Sequence, residues 1–202
     1  MPVIIWLNGG FGSGKTTLAD ELRGRLPDAL VYDPEDVGLL LWRWLPAGGD
    51  FQHLPSWREL VVATALSLRR YHAPTLVVPM SLVRDAYRDE ILGGLADAGE
   101  DVLHVFLVAD TEVLRERLDA RARALHPDSP GWEQGAVAMG LPSLAEVAAA
   151  AGRQPPGTLL LRSDRLTPAG LADAVLDQVR VVHTGGSGPA GPTPRSLSDG
   201  GT

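Results

Sequence analysis

Cysteine is absent from this 202-residue chain, and lysine occurs once. The first absence excludes a disulfide framework, a thiolate metal site and a cysteine nucleophile. The second is more pointed, because lysine is ordinarily among the commonest residues. Lys15 stands alone against 17 arginines, in a chain rich in Ala, Leu, Gly and Pro, as a GC-rich coding sequence would give. Where arginine meets every ordinary need for positive charge, the one remaining lysine marks a place for a compact ammonium.

Long apolar runs are also missing: none reaches the roughly 18 residues of a membrane span. No basic segment precedes an apolar one at the N-terminus, as a secretory signal requires. With 25 acidic and 18 basic residues the net charge is −7, which lacks the basic footprint of a nucleic-acid binder. The expectation is one cytoplasmic domain over residues 1–183, long enough to bury its own core. A Gly/Pro/Ser-rich tail, 184–202, cannot offset its ordering entropy and is expected to be disordered.

What is present alternates between two periods. Val3–Asn8, Leu30–Tyr32, Thr75–Met80, Val102–Val108 and Thr158–Leu161 read as short buried strands. Between them lie helical patterns at Thr16–Leu26, Glu35–Leu45, about Ser56–Tyr71, Asp85–Ala98, Thr111–Leu125, a short stretch opened by Ser143, and Thr167–Val182. Ser56-Trp57-Arg58-Glu59 and Ser143-Leu144-Ala145-Glu146 both have capping-box spacing, and Thr111 is a further expected cap. Near-continuous apolar strands alternating with helices imply an α/β fold, a parallel sheet covered on both faces. The strand count, with the glycine-rich Gly9–Thr16 motif (GGFGSGKT) between the first strand and first helix, favours a three-layer P-loop NTPase/kinase fold with five parallel strands. The last helix carries Asp173 and Asp177 and only Arg180 as a cation, so it is expected to pack on the sheet rather than lie on a membrane.

Gly9-Gly10-Phe11-Gly12-Ser13-Gly14-Lys15-Thr16 matches G-x-x-x-x-G-K-[ST] in full, between a strand and a helix. Glycines let the backbone curl so that N–H groups of Gly10, Phe11, Gly12, Ser13, Gly14 and Thr17 can surround phosphate oxygens. The helix N-terminus adds its dipole. Lys15 would reach the β- and γ-phosphates, and the Thr16 hydroxyl would ligate Mg²⁺. ATP and Mg²⁺ are therefore the expected cofactors. A guanine-reading N-K-x-D segment is impossible with one lysine, and the third strand lacks a terminal Walker B aspartate. Small kinases fit better than switch or motor NTPases.

Asp33 follows the second strand directly, with Glu35 and Asp36 after it. The carboxyl end of that strand opens onto the phosphate crevice, so Asp33 could orient or deprotonate an attacking hydroxyl, with Asp36 as second choice. Asp33-Pro34-Glu35 is equally a helix start, and both roles are compatible. Arg117 and Arg121 lie four apart on one helix face, as in the lid-entry helix of nucleotide and metabolite kinases. That likeness makes Arg117 the base-stacking residue and Arg121 the phosphate arginine; a solvated helix face is the alternative. The His126–Trp132 loop would then be a lid. Trp42, Trp44, Phe51 and Trp57 cluster in sequence. Trp44, Trp57 and Arg58 are candidates for touching an acceptor, with core packing the alternative for each tryptophan. The five histidines lack metal-ligand spacing, and His104 reads as a satisfied core residue.

Residues 4–38, DFQHLPSWREL and LVVPMSLV resemble the tunicamycin resistance protein family of P-loop proteins, from about Val3 to about Val182. More distantly, N-G-G-x(4)-G-K with an aspartate after strand two is similar to chloramphenicol phosphotransferases, shikimate kinases and gluconate kinases. The resemblance implies an ATP-binding protein that protects against a nucleoside antibiotic. The implied mechanism is phosphoryl transfer to a hydroxyl of a nucleoside- or sugar-like small molecule, with drug sequestration or a housekeeping metabolite kinase as alternatives.

Overall fold

The computed structural model describes residues 3–46, 49–125, 131–138 and 140–185. Five strands, β1 (Val3–Gly9), β2 (Ala29–Val31), β3 (Thr75–Pro79), β4 (Val102–Val108) and β5 (Leu159–Arg162), form one sheet. Their order is β2-β3-β1-β4-β5 and every pairing is parallel. In β1 the alternation of a strand sorts side chains to opposite faces. Val3, Ile5 and Leu7 join one buried cluster, and Ile4 and Trp6 join another.

The first cluster is closed by Leu18 and Leu22 of α1 (Lys15–Arg25) and by Leu171, Val175 and Val179 of α8 (Pro168–Gly185). The second is closed by α2 (Glu35–Leu41), α3 (Pro55–Tyr71) and α4 (Asp85–Asp97), through Val37, Trp57, Val61 and Ile91. Helices thus cover both faces, as the continuous apolar strands require. A third cluster lies under the phosphate loop. There Val83 and Phe106 meet Leu114 and Leu118 of α5 (Thr111–Leu125) and Leu144 and Val147 of α7 (Leu144–Ala151). α6 (Trp132–Ala138) adds Trp132 to its edge. Among the described residues no helix is long and apolar enough to cross a membrane.

β1 sits between β3 and β4, so the chain goes to one side of β1 and then to the other. That reversal opens a crevice at the carboxyl ends of the strands. The strands are near those expected, whereas several helix ends differ. α2 stops at Leu41 rather than Leu45, and Arg43 and Trp44 continue as turns bonded to Leu40 and Leu41. Ser56 does not cap α3: Leu54 is the cap residue, Pro55 occupies the first helical position, and no side chain bonds the end. Proline there supplies a preset φ and removes one orphan donor. Thr111 lies inside α5, where the Asp110 carbonyl accepts the Leu114 N–H. The Ser143 capping box is formed in both directions. The tail beyond residue 185 and residues 126–130 of the expected lid lie outside the described residues.

One glycine decides a close packing. A Cβ on Gly38 would lie 2.6 Å from the Phe51 ring, so α2 can approach the segment before α3 only without a side chain there. Replacing a helical glycine by alanine normally stabilises by about 1 kcal/mol. At Gly38 the clash reverses the sign, and Gly38→Ala is expected to lose about 1–3 kcal/mol. Gly93→Ala, with open space around its Cβ, is the control. Urea unfolding midpoints should move in opposite directions for the two variants.

Candidate active site

Asn8, the penultimate residue of β1, is fully buried and uses its whole amide. Its Oδ1 accepts the Gly9 and Leu82 N–H groups, each at 2.7 Å. Its Nδ2 donates to the Leu82 carbonyl at 3.0 Å and lies 3.2 Å from His104 Nε2. Burial, then the Arg88 charge, pushes His104 down to about 4, so the ring is neutral. Nε2 can therefore accept from Asn8 while Nδ1 donates to Thr158 Oγ1 at 3.1 Å. His104 is the satisfied core residue expected. Asn8 ties the start of the phosphate loop to the segment after β3 and to the middle of β4.

From Gly9 the loop curls through positive φ at Gly9, Gly12 and Gly14 and enters α1 directly. A Cβ at Gly10 would meet Val147 at 2.5 Å, so α7 packs straight onto the loop. Phe11 packs on Trp132 with ring centroids 5.2 Å apart. Lys15 Nζ donates to the Gly9 and Gly10 carbonyls at 3.0 and 2.9 Å, which leaves one of its three donors. Burial pushes Lys15 down to about 8, against the opposing pull of Glu35 and Asp33 and with a smaller push from Arg121. Ser13 is buried, and Thr16 and Thr17 are exposed on the first turn of α1.

The acidic segment faces this lysine. Asp33 Oδ1 accepts the Glu35 N–H at 2.9 Å, so Asp33 starts the turn into α2 and keeps its second oxygen available. Burial raises the carboxyl pKa of both Asp33 and Glu35, with Lys15 acting the other way on each. Glu35 also feels Arg121. Asp36 acts on Asp33 and Glu35 but is not among the charges acting on Lys15. Lys15, Asp33, Glu35 and Arg121 are thus one electrostatic group. Glu35 was passed over in favour of its neighbours, although it follows Asp33 by only two residues.

On the other side of the loop a cleft of about 270 Å³ is lined by Gly12, Ser13, Thr17, Arg117, Ser163 and Leu166, among others. Arg117 spans it, donating to the Gly12 carbonyl at 3.3 Å and the Ser163 carbonyl at 3.1 Å. Arg117 thus lies in this cleft, whereas Arg121 is near enough to Lys15 and Glu35 to act on their charge.

The aromatic segment requires correction. Trp57 is fully buried, its indole N–H donating to the Pro34 carbonyl at 3.0 Å. It supports the Asp33 turn from behind and does not face an acceptor. Arg58 is also buried: its Nε lies 2.5 Å from Glu90, its Nη1 2.6 Å from the Gln52 carbonyl, and its guanidinium 4.4 Å over the Tyr87 ring. All of its reach is used within the protein. Trp42 packs on Phe51 and is half-buried, while Trp44 is 71% exposed.

The AAA domain family matches residues 4–131. The Deinococcus radiodurans tunicamycin resistance protein is similar at 30% identity and a TM-score of 0.71, over 89% of this chain and 96% of that one. The Mycobacterium tuberculosis APS kinase, solved with AMPPNP and APS, aligns at 23% identity and a TM-score of 0.61, over 88% and 97%. A Sinorhizobium meliloti gluconokinase aligns at 16% identity and a TM-score of 0.56, over 93% and 98%. These last two share the fold. No curated protein matches the sequence. With its phosphate loop, kinase-like sheet and extent of similarity, the chain belongs to the AAA domain family and to the family of the tunicamycin resistance protein.

Proposed function

We propose that this protein is an ATP- and Mg²⁺-dependent phosphotransferase acting on a hydroxyl of a nucleoside- or sugar-like small molecule, with tunicamycin the first acceptor to test. The observation that carries the reading is the Asp33 carboxylate, with one oxygen to spare, in the electrostatic reach of the phosphate-loop lysine. The 30% identical tunicamycin resistance protein supports the choice of acceptor.

In this reading the cleft beside Arg117 takes the nucleotide base, and the loop N–H groups and Lys15 take the phosphates. Thr16 would hold Mg²⁺ through its hydroxyl, and Glu35, whose charge acts on Lys15, would hold the ion's water shell. Among the described residues no three His, Cys, Asp or Glu side chains converge on one point. Bound Mg²⁺ would neutralise charge on the β- and γ-oxygens. Asp33 orients the acceptor hydroxyl and takes its proton, a task favoured by a carboxyl pKa raised by burial. Arg121 meets the charge of the transferring group. A second reading, sequestration of the drug without transfer, has one observation behind it: β3 ends in Pro79, Met80 and Ser81 rather than an acid.

Incubation with ATP, Mg²⁺ and tunicamycin should give a product one phosphoryl group heavier, read by mass spectrometry. Asp33→Asn should lower kcat by about 10²–10⁴-fold with the KM for ATP unchanged. Tight drug binding at unchanged mass and without ADP release would favour sequestration. Lys15 adds a pH signature. Protonated below about 8, it binds phosphate as a cation; above that pH, binding must take up a proton. ATP affinity should be level below that point and fall toward tenfold per pH unit above it. Lys15→Arg, whose charge persists, should remove that dependence.

A further inference from the structure

We propose that His53 recognises the acceptor, presenting a fixed ring N–H to one of its oxygens; the inference rests on the phosphotransferase reading above. His53 ends a single 3-10 turn, Phe51–His53, and is exposed. An exposed histidine ordinarily needs no support, yet this one is held by a buried shell. Asp50 caps the turn by accepting the Gln52 N–H at 2.9 Å. The Gln52 side chain donates to the Ser81 carbonyl at 3.0 Å, and its own carbonyl accepts from Arg58 at 2.6 Å. Asp50, Gln52 and Arg58 are all buried.

The ring itself is fixed from one side. His53 Nδ1 is 2.9 Å from the Tyr87 hydroxyl, with the rings edge to face at 71°. The Arg58 guanidinium lies over the same tyrosine and is anchored by Glu90. A cation on the ring face draws electron density from the phenol, which favours the hydroxyl as donor and Nδ1 as acceptor. That tautomer carries its proton on Nε2, which has no partner among the described residues. A ring N–H donor of fixed direction suits a hydroxyl, ether or carbonyl oxygen of a nucleoside- or sugar-like molecule.

Position agrees with this. α3 runs into β3 and α4 runs out of it, so both begin on the rim where the phosphate loop opens. The first turn of α3 braces two neighbours at once. Trp57 holds the Pro34 carbonyl beside Asp33, and Arg58 holds the turn that carries His53. Successive residues of one helix thereby brace both the Asp33 turn and the turn that carries His53.

The test uses the full chain with ATP, Mg²⁺ and tunicamycin, and a panel of nucleosides and hexoses beside it, following product mass and initial rates. His53→Ala should raise the acceptor KM about tenfold, the loss of one hydrogen bond, with kcat and the KM for ATP within about twofold. His53→Gln, whose amide nitrogen can replace Nε2, should restore most of the loss. His53→Asn, which can replace only Nδ1, should not. An unchanged acceptor KM in His53→Ala, or rescue by asparagine and not glutamine, would overturn the inference and leave a role through Tyr87 alone. A wild type that binds tunicamycin without phosphorylating it refutes the transfer reading only, and the same variants compared by binding calorimetry then decide this one. A wild type that takes none of the compounds overturns both.

Discussion

The side-chain amide of Asn8 is the constraint from which the rest of the site follows. It is buried, and its four bonds reach the first residue of the phosphate loop, the segment after β3 and, through His104, the middle of β4. In a low-dielectric interior each of these bonds is stronger than in water, and each left unmade is correspondingly costly. The neighbours of β1 therefore cannot slide past it without breaking a satisfied network. A loop rich in glycine has little rigidity of its own. Here its starting point is set by the sheet, and its flank by close contact of Gly10 with Val147.

Charge at the rim is balanced in an unusual way. Lys15, Asp33 and Glu35 are each moved by burial toward the neutral form, while the lysine and the two carboxylates hold one another charged across the group. Without an anion, the lysine satisfies two donors on loop carbonyls. An incoming phosphate would favour its charged form, so anion binding and protonation of Lys15 reinforce one another. The carboxylates then face a more positive loop. Arginine could not take part in this exchange, since its charge does not titrate and its planar head is broader.

Much of this was legible in the residues. Apolar runs gave strands β1, β3 and β4 almost to the residue, because buried parallel strands leave no polar face to confuse the pattern. The phosphate loop was legible because its glycines, lysine and threonine are fixed by chemistry rather than by packing. Trp57 and Arg58 were misread for the opposite reason: an aromatic and an arginine line a pocket or brace a core with the same composition. Only the partners, Pro34 for one and Gln52, Tyr87 and Glu90 for the other, separate the two cases. Asn8 and Glu35 were overlooked because their roles depend on residues distant in sequence. The capping box expected at Ser56 failed because Pro55 starts the helix two residues earlier than that box requires.

The single lysine of the chain remains the most direct handle on the phosphate site. Calorimetric titration of ATP and Mg²⁺ into wild type and Lys15→Ala, beside urea unfolding of both, isolates its contribution. Loss of measurable nucleotide binding at an unchanged unfolding midpoint is the expected result. Wild-type affinity in Lys15→Ala would contradict the placement of the nucleotide phosphates on this loop.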